Sequence, residues 1–253
     1  MLSRNFRLQK VGDLNWLKKN YVFSRISFSI DELIVLNVTR GDKDEELFEQ
    51  HVKELTGECF IPIAAGGGIR QVEQARSLLR SGADKVVLNT SILTDPVLVH
   101  IIASEFGQQC IVASVDIRKE HSEYYIYIEN GERKLQISVS EYLSEIIKLP
   151  IGEIYLNSID RDGTGQGYLI ELLDFIPEGI TIPLIIAGGA GKYHHLSEGL
   201  KEDRVDAVAT AHLFNFVGDG LTKSRDELIK EKFDLPIWDI SKMKQLKEIF
   251  INY

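Results

Sequence analysis

Short apolar runs alternate with longer amphipathic ones along most of the chain. Residues 33–36, 61–65, 85–88, 111–115, 154–156, 182–186 and 207–209 are brief and mostly β-branched or apolar, the signature of strands buried on both faces of a parallel sheet. Between them, residues 45–55, 71–79, 96–106, 139–148 and 168–175 carry apolar positions at helical spacing. Thr94-Asp95-Pro96 is a helix start, with capping oxygens followed by a proline that needs no hydrogen-bond partner. Strict alternation of the two patterns predicts βα units with right-handed crossovers. One interruption stands out: residues 124–128 and 134–137 flank Glu129-Asn130-Gly131-Glu132, so a hairpin is expected after the strand that ends near Asp116.

An internal repeat separates the two α/β architectures. The stretch from Ile61 to Gly68 returns 121 residues later from Ile182 to Gly189, and Asp84 returns as Asp206. Leu36-Asn37 returns as Leu156-Asn157 after 120 residues. A repeat near half the chain length fits a (β/α)₈ barrel of two four-strand halves, a fold that needs about 250 residues. Seven strands are counted, and a strand before Asn5 would have only Met1 to Arg4 to draw on. The first strand is therefore expected to be missing or truncated. Either the natural chain begins roughly fifteen to twenty residues earlier, or residues 1–10 or part of the tail 221–253 fill the gap. The chain is expected to be one domain, with the barrel over about 5–216 and a helical extension over 217–253.

Composition narrows the partners. Of 253 residues, 44% are apolar and 26% charged, which is ordinary for a protein with a large core. Twenty-nine basic against thirty-eight acidic residues give a formal charge of −9, and no Lys/Arg run breaks the balance. Nucleic-acid and anionic-membrane binding are not expected. Cys59 and Cys110 cannot build a disulfide scaffold and lack metal-ligand spacing, so a cytoplasmic setting is expected, without membrane span or signal peptide.

The chemistry sits where strands end. Gly66-Gly67-Gly68-Ile69-Arg70 and Gly188-Gly189-Ala190-Gly191-Lys192 each follow an apolar strand and open a helix. Glycine lets backbone amides approach an anion, and the helix start cradles it; a tight βα turn without ligand would use the same residues. Two symmetric copies suggest one elongated ligand with a phosphate at each end. Asp160-Arg161-Asp162-Gly163-Thr164 also follows a strand and could orient hydroxyls or phosphate, or be an Asx-turn. Asp116 ends its strand, so it faces the barrel mouth as an acid/base candidate, or caps a turn or pairs with Arg118. Glu32, Lys85 and Glu153 start their strands and would ring the opposite rim as a salt-bridge layer. His194 and His195 start a helix and are expected to be exposed; His212 follows the last strand and faces the mouth. No metal site, nucleophile elbow, Walker motif or dinucleotide fingerprint is present, so no metal or cofactor is expected.

Several of these segments, in order, resemble the cyclase subunit of imidazole glycerol phosphate synthase. They are Asp31-Glu-Leu-Ile-Val-Leu36, Ala65-Gly-Gly-Gly-Ile69, Gly82-Ala-Asp-Lys-Val-Val-Leu-Asn-Thr90, Asn157-Ser-Ile-Asp-Arg-Asp-Gly-Thr164 and Ala187-Gly-Gly-Ala-Gly-Lys192. The likeness runs from about Asn5 to Phe216. It implies a (β/α)₈ barrel that receives ammonia from a glutaminase partner and passes it to a ribulosyl bis-phosphate at the far mouth. By position, one phosphate site would use Gly68, Asn89 and Thr90. The other would use Gly163, Gly188, Gly189, Ala211 and His212, with Asp162 nearby. Glu32, Lys85 and Glu153 match three of four ammonia-gating residues, and Asp84 matches an acidic residue that meets the glutaminase.

The departures from that family point to a side branch. Asp116 matches the second of its two catalytic aspartates, while the strand carrying the first, and a gating arginine with it, has no counterpart. Asn37 stands for an aspartate, and His212 for a serine. Losing one member of an acid/base pair costs ~10²–10⁴-fold in rate. Asn5-Phe6-Arg7-Leu8 and the segment from His212 to Gly220 are similar to relatives in surface-polysaccharide pathways. Those relatives, with a glutaminase, feed ammonia to a separate sugar-amidating enzyme. The expected function is such an ammonia-supplying subunit. The alternatives are a working histidine-pathway cyclase and, less favoured, the sister phosphoribosyl isomerase.

Overall fold

Seven short strands lie side by side in chain order because each is followed by a crossover that returns on the same face of the sheet. The computed structural model describes residues 2–9, 13–16, 26–211 and 219–237. At the amino end, β1 (Leu2–Arg4) and β2 (Arg7–Gln9) form an antiparallel two-stranded sheet. The barrel wall follows: β3 (Leu33–Leu36), β4 (Ile63–Gly66), β5 (Lys85–Leu88) and β6 (Ile111–Glu120). The antiparallel excursion β7 (Glu123–Ile128) and β8 (Arg133–Lys134) comes next, then β9 (Glu153–Ser158), β10 (Leu184–Ala187) and β11 (Ala207–Val208). The parallel order β3-β4-β5-β6-β9-β10-β11 makes this a (β/α)₈-type wall with seven strands among the described residues. The residue 2–9 hairpin pairs with itself and does not fill the gap between β11 and β3.

Helices α1 (Glu45–Glu58), α2 (Val72–Arg80), α3 (Thr90–Thr94), α4 (Pro96–Phe106), α5 (Val139–Ile146), α6 (Tyr193–Leu200) and α7 (Gly220–Lys230) complete the order. Asp95 caps α4 as its sequence suggests, accepting from the Leu98 amide at 3.1 Å. Three boundaries move for chemical reasons. β4 and β10 begin after Pro62 and Pro183, which lack an N–H for the ladder but accept at their carbonyls, from Leu33 and Ile154. β6 runs on to Glu120 because β7 pairs with its outer half. Residues 168–175 were expected to be helical, and only Ile170–Phe175 winds, as a short 3₁₀ turn after the non-helical Leu169. The expected helix over 240–250 lies outside the described residues.

Strand period 2 sorts side chains to two sides of the wall. Val86, Leu88, Ile111, Ala113, Val115, Ile154 and Leu156 pack outward under the helices in one large core. The inward set makes layers along the axis. Glu32, Lys85 and Glu153 form the floor; Ile34, Ala64, Val87, Val112 and Tyr155 form an apolar middle cluster. Asn89, Asp116 and Asn157 meet at the mouth.

Helix α7 links the two ends of the described wall. Arg225 of α7, almost fully buried, makes a bidentate pair with Asp31 at 2.8 and 3.0 Å and donates to the Pro236 carbonyl at 2.7 Å. Ser29 and Thr222 share a hydroxyl bond at 2.8 Å beside it. The clasp links the residues leading into β3 with the helix that packs on α6. Asp31→Asn leaves a buried guanidinium without its counter-charge. We expect a loss of about 1–3 kcal/mol in urea unfolding; an unchanged midpoint would contradict a closing role for this clasp.

Candidate active site

The two glycine turns are structural copies as well as sequence copies. Gly67 and Gly68 hold φ near +106° and +101°, and Gly188 and Gly189 hold +88° and +109°, a region that favours glycine. A Cβ on Gly67 would stand 2.4 Å from the Asn37 carbonyl, and one on Gly188 would stand 2.5 Å from the Ser158 carbonyl. Each turn is thus pressed against the end of the neighbouring strand, β3 for the first and β9 for the second, on the same rim. At the other rim, Asp84 accepts from the Ile63 amide at 2.9 Å and Asp206 from the Leu184 amide at 2.8 Å. These exposed carboxylates pin the starts of β4 and β10.

At the mouth, Asp116 is the one buried carboxylate among the described residues. Asn157 donates to one of its oxygens at 2.9 Å and Asn89 to the other at 3.2 Å. Asn89 also donates to the Ser114 carbonyl at 2.9 Å, which fixes the amide. Burial pushes the Asp116 carboxyl up to about 7; the Asn157 bond opposes that rise and the Asp162 charge adds to it. Below it, burial and the Asp116 charge raise the Tyr155 phenol well above its usual value. Asp116 pairs with these amides, and not with Arg118, which lies over the Tyr127 ring at 4.4 Å.

The remaining mouth residues surround this group. Thr90 starts α3 and accepts from the Glu129 amide at 3.1 Å. Gly163, with φ near +69°, belongs to the turn after β9. Asp162 accepts from the Phe6 amide at 3.3 Å, and its carbonyl accepts from Asn5 at 3.0 Å. The tip of the β1–β2 hairpin is thereby seated on the loop after β9, and Arg40 reaches the Phe6 carbonyl from the other side at 3.1 Å. Gly189 accepts at its carbonyl from the Gly167 amide at 2.8 Å. Ala211 is exposed past β11, while His212 lies outside the described residues.

His195 corrects its sequence reading. It is buried, not exposed, and its Nδ1 accepts from the Gly191 amide at 3.1 Å, holding the second glycine turn. Its neighbour His194 is exposed, as expected.

On the floor, Lys85 bridges the two acids: Nζ stands 2.7 Å from Glu32 and 2.5 Å from Glu153. Burial alone would lower the Lys85 pKa, and the bonds to Glu153 and Glu32 outweigh it, so the ammonium is held charged. Burial raises the Glu32 carboxyl against the pull of Lys85. One oxygen of each glutamate, Glu32 Oε1 and Glu153 Oε2, is buried with no hydrogen-bond partner.

Two residues at the mouth escaped sequence reasoning. Asn157 could have been found from its place at an inward-facing strand end. Lys43, whose ammonium donates to the carbonyls of Asn37 at 2.7 Å and Gly67 at 2.8 Å, sits in a loop with no period to reveal it.

Comparison with known proteins agrees with this geometry. The family model described as histidine biosynthesis protein matches residues 22–218. A Parasynechococcus marenigrum protein provisionally named imidazole glycerol phosphate synthase subunit hisF2 is 46% identical over 226 residues, 89% of this chain and 84% of its own. The imidazole glycerol phosphate synthase subunit HisF of Chlorobaculum parvum is 38% identical over 78% of this chain and 79% of its own. A Vibrio vulnificus protein, also provisionally named hisF2, is 34% identical over 83% of this chain and 77% of its own. The chain therefore belongs to the histidine biosynthesis protein family and is a HisF-type subunit of the imidazole glycerol phosphate synthase kind.

Proposed function

We propose that this chain is the ammonia-accepting barrel of a glutamine-dependent pair. In this reading a glutaminase partner docks on the floor around Asp84, and ammonia enters between Glu32, Lys85 and Glu153. It crosses the apolar layer of Ile34, Ala64, Val87, Val112 and Tyr155 to the mouth. The observation that carries the reading is the Lys85 bridge between two acids, stacked in line with that apolar layer. A charged ammonium is costly to move into an apolar interior, whereas neutral ammonia is not. Such an axis passes the neutral form and keeps bulk cations out.

At the mouth, a bis-phosphate ligand would span the two glycine turns. Gly68, Asn89 and Thr90 would hold one end, and Asp162, Gly163, Gly188, Gly189, Ala211 and His212 the other. Between them Asp116 would move the protons, since a group titrating near 7 is matched to acid/base work at neutral pH. It would work without a second buried carboxylate from the described residues, and Asn37 at the β3 end offers none. On that ground we read cyclisation as weak, and the ammonia as destined for a separate sugar-amidating enzyme of surface-polysaccharide synthesis, in the cytoplasm. The likeness of Asn5-Phe6-Arg7-Leu8 to that branch supports this assignment. The tuned Asp116 favours one other reading, a working histidine-pathway cyclase.

An assay with the glutaminase and the ribulosyl bis-phosphate separates the two. Glutamine hydrolysis is expected with imidazole product at least about 10²-fold below a two-aspartate cyclase; robust product formation would establish the second reading instead. Lys85→Ala is expected to impair nitrogen delivery from glutamine while sparing delivery from free ammonia, and equal loss in both would remove the gate. Asp116 gives a third test. Its carboxyl is protonated in the fold up to about pH 7 but ionises near 3.8 when unfolded, so it stabilises the fold at low pH and that gain is lost as pH rises through 7. Between about pH 5.5 and 8, the wild type should lose about 1–3 kcal/mol relative to Asp116→Asn in denaturant unfolding. Parallel pH curves would mean the carboxyl is not raised.

A further inference from the structure

One cation near the first glycine turn has no part in the reading above. Lys43 comes from the loop after β3, is half-buried, and lays the end of its side chain along Gly68. A Cβ built on Gly68 would stand 2.9 Å from its Nζ, 3.0 Å from Cδ and 3.1 Å from Cε. The ammonium donates to the Asn37 and Gly67 carbonyls, both neutral. An ammonium carries three N–H groups, so two carbonyls leave one for a further acceptor. The same cleft is lined by Gly66, Gly67 and Gly68 and by Gln74 of α2.

Charges of both signs lie around it. Burial, and then the Arg70 charge, depress the Lys43 pKa, with Glu45 opposing. Glu45 is already engaged by the Gln74 amide at 2.5 Å, and Glu49 lies at the cleft's edge. The Lys43 ammonium, with the Arg70 charge near enough to act on it, thus lies beside the turn whose glycines hold positive φ. The Gln74 side-chain oxygen already accepts from the Arg70 and Gln71 amides that open α2, so a dianion placed there would meet the Lys43 ammonium and the glycine turn rather than those amides.

We propose that Lys43 is a phosphate ligand of the first glycine turn: a phosphomonoester end of the substrate would rest on the Gly68 amide and take the third N–H of Lys43. This rests on the phosphate reading of that turn and adds the side chain that would select for a doubly charged end. Lys43 would do this while stapling the end of β3 to the turn, so a structural role has to be told apart from a ligand role.

Inorganic phosphate titrated into the ¹⁵N-labelled full chain, followed at the Gly68 and Gly189 amides, makes the distinction. In the wild type both amides are expected to respond. Lys43→Met should weaken the Gly68 response roughly tenfold or more and leave Gly189 within about twofold, while Lys43→Arg restores most of the loss. An unchanged Gly68 response in Lys43→Met overturns the proposal while sparing the phosphate reading. A silent Gly68 and Gly189 in the wild type overturns both. A readout that needs no variant is the ¹³Cε resonance of Lys43 against pH in the wild type. A ligand role moves its titration midpoint upward when phosphate is added, and a staple role leaves it in place even though Arg70, Glu45 and Glu49 are present in both conditions. A fixed midpoint, with Gly68 responding, also rejects the proposal.

Discussion

The Lys85 ammonium, gripped by Glu32 and Glu153, is the interaction on which the rest of the arrangement turns. Three charges half-buried at the foot of a barrel are expensive unless they satisfy one another, and here one cation serves two anions at hydrogen-bond distance. The grip also fixes the facing of three strands. Once Glu32, Lys85 and Glu153 point inward, strand alternation commits Ile34, Val87 and Tyr155 to the axis, and then Asn89 and Asn157 to the mouth. A one-residue slip in any of these strands would turn its charged floor residue into the helix-facing core.

The mouth inverts the logic of the floor. There a single carboxyl is buried and given only neutral partners, the amides of Asn89 and Asn157, so desolvation wins and its proton is held to near neutrality. The floor keeps its charges by pairing them; the mouth makes its charge conditional by withholding a cation. Lys43, in the loop after β3, bonds the carbonyls of Asn37 and Gly67, while Asp116 bonds Asn89 and Asn157.

Much of this was legible in the chain, for reasons particular to it. Their places at the starts of apolar strands put Lys85 and Glu153 on one rim, and the repeat from Ile61 to Ile182 paired the two glycine turns. What escaped was information carried by single hydrogen bonds. Nothing in Tyr193-His194-His195-Leu196 says that the Gly191 amide needs an acceptor, which is what draws His195 inward. Nothing in Arg40-Gly41-Asp42-Lys43 says that the Gly67 carbonyl lies within reach of an ammonium. The clasp between Asp31 and Arg225 spans residues too far apart for any local pattern to report. Strand starts moved because Pro62 and Pro183 join the ladder as acceptors only.

An enclosed axis matters only if nitrogen travels inside the barrel. Supplying the glutaminase complex with glutamine labelled by ¹⁵N at the amide, in an excess of unlabelled ammonium, and reading the label in whichever acceptor takes the nitrogen is the most direct measurement. An enclosed axis predicts that the product keeps the ¹⁵N of glutamine well above the bulk ratio. A product diluted to the ratio of the surrounding ammonium would mean that the nitrogen passes through solvent, and that the charged floor guards nothing.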